Sequence, residues 1–433
     1  MLNLTRNELL SVSKPARYVG GEYNQVIKDA KSVKCRYAFC FPDIYDIGMS
    51  NLGMKILYDV LNKRNDTWCE RVFAPWPDFE ELMRRKKIEL YGLESKDSIR
   101  NFDMVSFTLQ YEMSYTNILN MLDLANIPIY SKDRKEDDPF VFAGGPCASN
   151  PYPLIKFMDF FLLGEGEEQL NQVVDKFVIW KSKKLSKKDF LESIKDITGV
   201  FIPSIHTEND VIKKAVIKDM ENVEYPINFV VPNTEIVQNR ISLELFRGCS
   251  RGCRFCQAGY IYRPVREKSA DKLLKIAKES IKATGLNDIT LSSLSTSDYS
   301  QFQKLTTSLI DICDKDKIGL SLPSLRIDTV NLDVLNKVQA VRKSSLTFAP
   351  EAGSQRLRNV INKNITEEEI LNGCKIAFES GWNTVKLYFM IGLPTETFED
   401  LSQIVTLANK IKKWKMYSNS FNFNICTKTT YTI

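Results

Sequence analysis

The stretch ELFRGCSRGCRFCQAGY, residues 244–260, packs three cysteines, three arginines and three glycines into one short run. The spacing of Cys249, Cys253 and Cys256 is C-x3-C-x2-C. A structural zinc site normally takes four Cys or His ligands, and no fourth lies nearby. The chain's single histidine, His206, is far upstream and Cys313 far downstream. A redox C-x-x-C pair would need two thiols, not three. Three thiolates suit an iron–sulfur cluster that keeps one iron open to another ligand. Arg247, Arg251 and Arg254 are placed to offset the negative charge of such a cluster, and Gly248 and Gly252 let the backbone wrap it closely.

The run sits where a parallel α/β domain keeps its chemistry. From residue 240 onward, strand-like segments alternate with helical patterns: ISLELFRG, DITLSSLS, IGLSLPSLRI, SSLTFAP, TVKLYFMIGLP and NSFNFNI. Six such strands predict a barrel-like domain whose reactive residues occupy the loops after the strands. The three-cysteine loop follows the first of them. Upstream, CRYAFCF, WCERVFAP, FDMVSFTL, PFVFAGG and MDFFLLG alternate with amphipathic stretches. These predict a doubly wound, flavodoxin-like parallel sheet whose ligands sit beyond the carboxyl ends of the strands. The resulting division is a lead segment over 1–33, a Rossmann-type domain over 34–180, a linker with a small β-element over 181–235, and the barrel domain over 236–433.

Composition bounds the rest. Of 433 residues, 59 are basic and 54 acidic, a balance of +5 that gives no indication of nucleic acid as a partner. No apolar run approaches the roughly 18–20 residues a membrane span needs, and the N-terminus lacks the continuous apolar core of a secretory signal. The cytoplasm is the expected compartment, and there ten cysteines are expected to be reduced. Cys35, Cys40, Cys69, Cys147, Cys313, Cys374 and Cys426 read as small buried apolar residues. His206 reads as a structural or surface histidine.

C-x3-C-x2-C with an aromatic, Phe255, before the last cysteine resembles the signature loop of the radical S-adenosylmethionine (radical SAM) superfamily. The resemblance implies that Cys249, Cys253 and Cys256 hold a [4Fe-4S] cluster whose fourth iron binds S-adenosylmethionine, with a reduced flavodoxin or ferredoxin as electron donor. It also implies cofactor contacts at later strand ends. Ser292, Ser293 and Ser295 match the small-residue loop that bonds the methionine amine, and Arg326 could reach a ribose or carboxylate. Glu351 and Arg356 could approach cofactor or substrate, and Ile391, Gly392 and Leu393 match the adenine-packing segment. Arg358 is expected on a helix surface.

The upstream loop FPDIYDIGMSNLG resembles the D-x-H-x-x-G loop of cobalamin-binding domains. Asp43, Tyr45 and Gly48 keep that spacing, with tyrosine where the cobalt-ligating histidine would stand. Gly144 and Gly145 in AGGPCASN match a later glycine pair. Either cobalamin binds without a protein histidine, or the domain has lost it and holds substrate or only packs. Over about residues 13–424 the chain resembles the cobalamin-binding-domain-linked radical SAM proteins. Its last residues, TKTTYTI, depart from that family's P-K-P-H-T-P-F-Q-W segment. With a suitable choice of synonymous codons, a one-base slip near residues 424–427 reads TKTTYTI as PKPHTPF, so a frameshift that removes the barrel's closing elements and a tail domain is expected.

The expected function is reductive cleavage of S-adenosylmethionine to modify an unknown substrate. The rivals are a methylthiotransferase-like RNA-modifying enzyme and a non-catalytic, metal-stabilised or truncated protein.

Overall fold

The computed structural model describes residues 4–321, 346–382, 384–415 and 424–429, without the side chains of 414, 415 and 424–429. Arg326 and the side chain of Cys426 fall outside the described residues. The chain divides into two compact units, 1–239 and 240–433.

The first unit is built on β1 (Cys35–Phe41), β2 (Thr67–Phe73), β3 (Met104–Thr108), β4 (Phe140–Gly144), β5 (Phe160–Leu162) and β6 (Val200–Phe201). They form one sheet in the order β2-β1-β3-β4-β5-β6, parallel except for the antiparallel β6. The strands read as near-continuous apolar runs because both faces are covered. Phe79, Leu82, Ile118, Met121 and Leu122, from helices Pro77–Lys86 and Tyr115–Leu124, pack one face. Met54, Tyr58, Leu170, Val173 and Phe177, from helices Leu52–Asn62 and Gly166–Lys183, pack the other.

Two segments that the sequence sets apart belong to this unit's core. Val12 and Tyr18 of the lead segment are buried on one face. Of the presumed linker, Phe190, Ile194 and Val230 are buried on the other. The linker reading follows charge density, but Phe190 and Ile194 stand four apart on helix Lys187–Ile194 and share one apolar side. The polar residues of strand β2 are also accounted for. Buried Arg71 lies between Glu22 (Nη2–Oε2 3.0 Å) and Glu94 (Nε–Oε1 2.7 Å), and buried Glu70 pairs with Arg36.

The second unit contains β7 (Ile241–Glu244), β8 (Phe246–Arg247), β9 (Arg266–Glu267), β10 (Asp288–Ser292), β11 (Gly319–Ser321), β12 (Leu346–Glu351), β13 (Val385–Ile391) and β14 (Asn424–Thr429). Six of these form two parallel three-stranded sheets, β11-β10-β7 and β12-β13-β14. Helices alternate with them, as the sequence predicts. Helix Ala270–Thr284 starts on the Ser269 hydroxyl, which accepts from the Lys272 amide, and ends on left-handed Gly285. No helix among the described residues is long and apolar enough to cross a membrane.

Candidate metal centre

The cysteine loop runs between β8 and β9, which pair as a short antiparallel ribbon. At its base, Glu244 at the end of β7 meets Arg247 (Nε–Oε1 2.9 Å) and the fully buried Lys268 (Nζ–Oε2 3.0 Å). Burial works to raise the Glu244 carboxyl, but the two cations beside it hold it down at about 2. Gly248 then turns the chain with φ +92°, and a Cβ there would lie 2.5 Å from the Pro264 carbonyl oxygen. Only glycine meets both conditions.

Cys249, Cys253 and Cys256 are half-buried, and none is in a disulfide. The other cysteines with described side chains are all buried. The residues between the three thiols are the ones that fasten the loop. Arg251 forms a two-pronged pair with Asp298, in the turn after β10, with Nε–Oδ2 at 2.8 Å. Gly252 offers its carbonyl to the Asn362 amide at 2.8 Å, and the Arg254 amide donates to the Ile361 carbonyl at 3.0 Å. The Arg254 guanidinium donates to the Val360 carbonyl. Phe255 packs on Ala352, Leu357, Ile361, Met390 and Leu393. Residues after β7, β10, β12 and β13 are thereby drawn together.

The expected charge role of the arginines is corrected here for two of them. Arg247 and Arg251 are matched by carboxylates, and Arg254 is bonded to a carbonyl. Arg247 and Arg251 are thereby largely compensated, while Arg254, bonded only to a neutral carbonyl, keeps its positive charge beside the thiols.

The expected cofactor residues fall as follows. Ser292 ends β10, and its carbonyl accepts from the Leu245 amide at 3.0 Å. The Ser293 and Thr296 hydroxyls bond each other at 3.0 Å. Ser295 is buried, and its hydroxyl has no hydrogen-bond partner among the described residues. Glu351 ends β12 in a left-handed conformation (φ +68°) with Lys363 Nζ 3.4 Å away. Ile391 ends β13 half-buried, the Gly392 amide donates to Glu396 at 2.7 Å, and Leu393 is buried against the Phe255 cluster. Arg356 is taken up by Asp400 and the Thr395 carbonyl. Arg358 is not on a helix surface: it is fully buried and donates to the carbonyls of Ala352, Gly353 and Ile365.

Three oriented side chains have no warning in the sequence. Asp298 and Asn362 act on the loop from residues remote in the chain, and Lys268, just after β9, acts on its base through Glu244; no local pattern encodes these contacts.

Among the described residues, no three His, Cys, Asp or Glu side chains converge closely enough to hold an ion. The fit to a metal group therefore rests on the donors and their surroundings. The loop offers three accessible thiols on an anchored backbone, a set that suits iron–sulfur ligation rather than a four-ligand zinc site. The unpartnered Ser295 hydroxyl lies in the turn that Arg251 grips.

In the first unit, the Asp43 carboxylate accepts from the Ile44 amide at 2.7 Å and from the Tyr111 hydroxyl, joining the loops after β1 and β3. Tyr45 is buried. Its hydroxyl donates to Glu22 at 3.0 Å and its ring packs edge-on against Phe73. Burial pushes its phenol far up from the ordinary value. Gly48 is a packing residue, since a Cβ would meet the Phe73 ring at 2.4 Å. Gly144 ends β4, and at Gly145 (φ +101°) a Cβ would lie 2.9 Å from the Leu109 carbonyl oxygen. The loops after β2, β3 and β4 expose Trp76, Tyr111, Met113 and Tyr152. His206 accepts from the Ile202 amide through Nδ1 at 2.9 Å and stacks on Phe201.

Residues 53–203 match the family of radical SAM proteins, N-terminal, and residues 243–408 match the radical SAM superfamily. An uncharacterized protein of Methanocaldococcus jannaschii is 33% identical over 393 residues, covering 90% of this chain and 76% of that one. A tRNA-2-methylthio-N(6)-dimethylallyladenosine synthase of Clostridium beijerinckii is 22% identical, over 52% of this chain and 49% of that one. Among solved structures, the cobalamin-dependent radical enzyme OxsB aligns with a TM-score of 0.61 at 15% identity, over 86% of this chain and 51% of that one. The radical SAM methyltransferase TsrM of Kitasatospora setae aligns with a TM-score of 0.61 at 12% identity, over 90% and 72%. The chain thus spans three quarters of the archaeal relative but about half of the synthase and of OxsB. It belongs to the radical SAM superfamily, whose enzymes use an iron–sulfur cluster and S-adenosylmethionine.

Proposed function

We propose that this protein cleaves S-adenosylmethionine reductively to modify a substrate, with Cys249, Cys253 and Cys256 as ligands of a [4Fe-4S] cluster. The observation that carries this reading is the contrast among cysteines. The three in the loop after β7 are accessible on an anchored backbone, while the others with described side chains are buried. When bound, the cluster supplies the electron that splits S-adenosylmethionine into methionine and a 5′-deoxyadenosyl radical. The chain's own residues bind, orient and shield. The Ser295 hydroxyl is free to accept from the methionine amine. Phe255, Leu393 and the Ile391–Gly392 backbone supply an apolar wall with a small-residue gap for the adenine. Glu351, with Lys363 beside it, is the nearby charged pair on the β12 end. Ser292 and Ser293 shape the turn.

The strand order β2-β1-β3-β4-β5 supports a flavodoxin-like, cobalamin-binding type for the first unit, and its crevice falls between β1 and β3. Asp43 and Tyr111 meet there. Tyr45 does not fit the role of cobalt ligand, because its hydroxyl is buried on Glu22. A corrin held here would rest on the strand-end loops, including Gly144–Gly145, without a donor from that position. A reduced flavodoxin or ferredoxin is the proposed electron source.

Iron, acid-labile sulfide and the EPR spectrum of anaerobically reconstituted protein, with and without S-adenosylmethionine, test the reading. About four irons per chain are expected, with a spectral change on adding S-adenosylmethionine and loss of both in a Cys249/Cys253/Cys256→Ala variant. Zinc, or no metal in folded protein, overturns it. The distant methylthiotransferase relatives favour RNA as the second substrate class, and salt-dependent tRNA binding would distinguish it.

A further inference from the structure

Asp298 is not a ligand in the proposed reading, yet it lies at a junction. Its carboxylate takes both prongs of the Arg251 guanidinium, and Arg251 stands between Cys249 and Cys253. Its backbone amide donates to the Ser295 carbonyl at 2.9 Å, within the turn whose Ser295 hydroxyl is buried and unpartnered. The ion pair is partly buried, with side-chain exposures of 32% and 17%. Bidentate geometry at such a site is both stronger and more directional than an exposed pair.

We propose that Asp298 is a positioning residue, which through Arg251 fixes the Ser293–Ser295 turn against the cysteine loop and so couples S-adenosylmethionine binding to the loaded cluster. This rests on the cysteine assignment made above. The other side of the loop is fastened by Asn362 to the Gly252 carbonyl and by the Ile361 carbonyl to the Arg254 amide. Neither contact uses Asp298. Removing the Asp298 carboxylate therefore unties the serine turn from Arg251, while the loop keeps its second anchorage. The consequence is a separation of two properties: iron loading persists, and affinity for S-adenosylmethionine falls.

The test compares the wild-type chain with Asp298→Asn and with the reciprocal Arg251→Asp/Asp298→Arg variant, all reconstituted anaerobically. Three quantities are read: iron per chain, the dissociation constant of S-adenosylmethionine, and the change it causes in the EPR spectrum of the reduced cluster. Asp298→Asn should load iron like the wild type, bind S-adenosylmethionine about tenfold more weakly, within the usual range of site coupling, and show a diminished spectral change. The reciprocal variant should recover most of the affinity. Three results would overturn the proposal: Asp298→Asn behaves as wild type; it loses iron and affinity in equal measure; or the reciprocal variant, folded by its unfolding temperature, recovers nothing. A wild-type chain that loads no cluster fails the cysteine assignment itself, which the variants do not bear on.

Discussion

The guanidinium of Arg251 and the carboxylate of Asp298 meet in a two-pronged pair although 47 positions separate them in the chain. One belongs to the cysteine loop and the other to the turn after β10. Arg251 stands between Cys249 and Cys253 in the chain, and the three thiols remain half-buried, so anchorage of the loop falls to residues other than the cysteines.

That division predicts the outcome of thiol labelling. With a water-soluble thiol reagent at pH 8, Cys249, Cys253 and Cys256 of the metal-free protein should react quickly. Burial pushes Cys147 and Cys313 up to about 11 and Cys374 to about 12, and raises Cys35, Cys40 and Cys69 well above the ordinary range. These six should react only on unfolding. Mass spectrometry of the labelled peptides checks this, and fast labelling at Cys313 or Cys374 would contradict it.

The Glu244 carboxyl, held at about 2 against an ordinary 4.5, contributes stability above pH 4.5 that is lost as pH falls toward 2. Glu244→Gln removes the buried carboxylate that Arg247 and Lys268 share. A loss of about 3 kcal/mol at pH 7 is expected, with a shallower acid limb than the wild type. Denaturant midpoints at pH 3, 5 and 7 measure both effects.

Tyr45→His restores the residue type of the cobalamin-binding motif without restoring a ligand. The replaced hydroxyl is buried on Glu22, so a destabilisation of about 1–3 kcal/mol is expected. Co(II) cobinamide, a corrin without the nucleotide base, should show no nitrogen coupling to cobalt in its EPR spectrum when added to the variant. Appearance of that coupling would show that the loop can turn outward.

Lys55, half-buried over the Phe229 ring, is held down at about 8 by loss of solvation. Its unfolded form titrates near 10.5, so between about pH 8 and 10.5 the unfolded chain binds more protons, and stability rises with pH across that window. Lys55→Met should flatten this rise, as measured by unfolding midpoints at pH 7.5, 9 and 10.

The sequence made several of these elements legible, because local chemistry decides them. Runs such as CRYAFCF and PFVFAGG are strands because both of their faces are covered, and the cysteine spacing needs only a loop after the first strand. Other features were hidden for a physical reason. The charge of residues 180–196 suggests a solvated connector, but Phe190 and Ile194 anchor that segment through one helical face. Arg251 looks like a counterion for a cluster until its partner, Asp298, is known. Tyr45 keeps its motif spacing, and only the position of Glu22 reveals that its hydroxyl points into the core.

The tethers on Arg251, Gly252 and Arg254 also bear on the order of assembly. In a zinc finger, metal binding and folding are one event, because the ligands are also the fold's main fastening. Here the loop is fastened by an ion pair and by peptide groups that need no iron. Chelation should empty the site and leave the unfolding temperature nearly unchanged. On the proposed ligation, iron and sulfide are expected to enter a finished chain, and a centre destroyed by oxygen to be rebuilt in place without refolding.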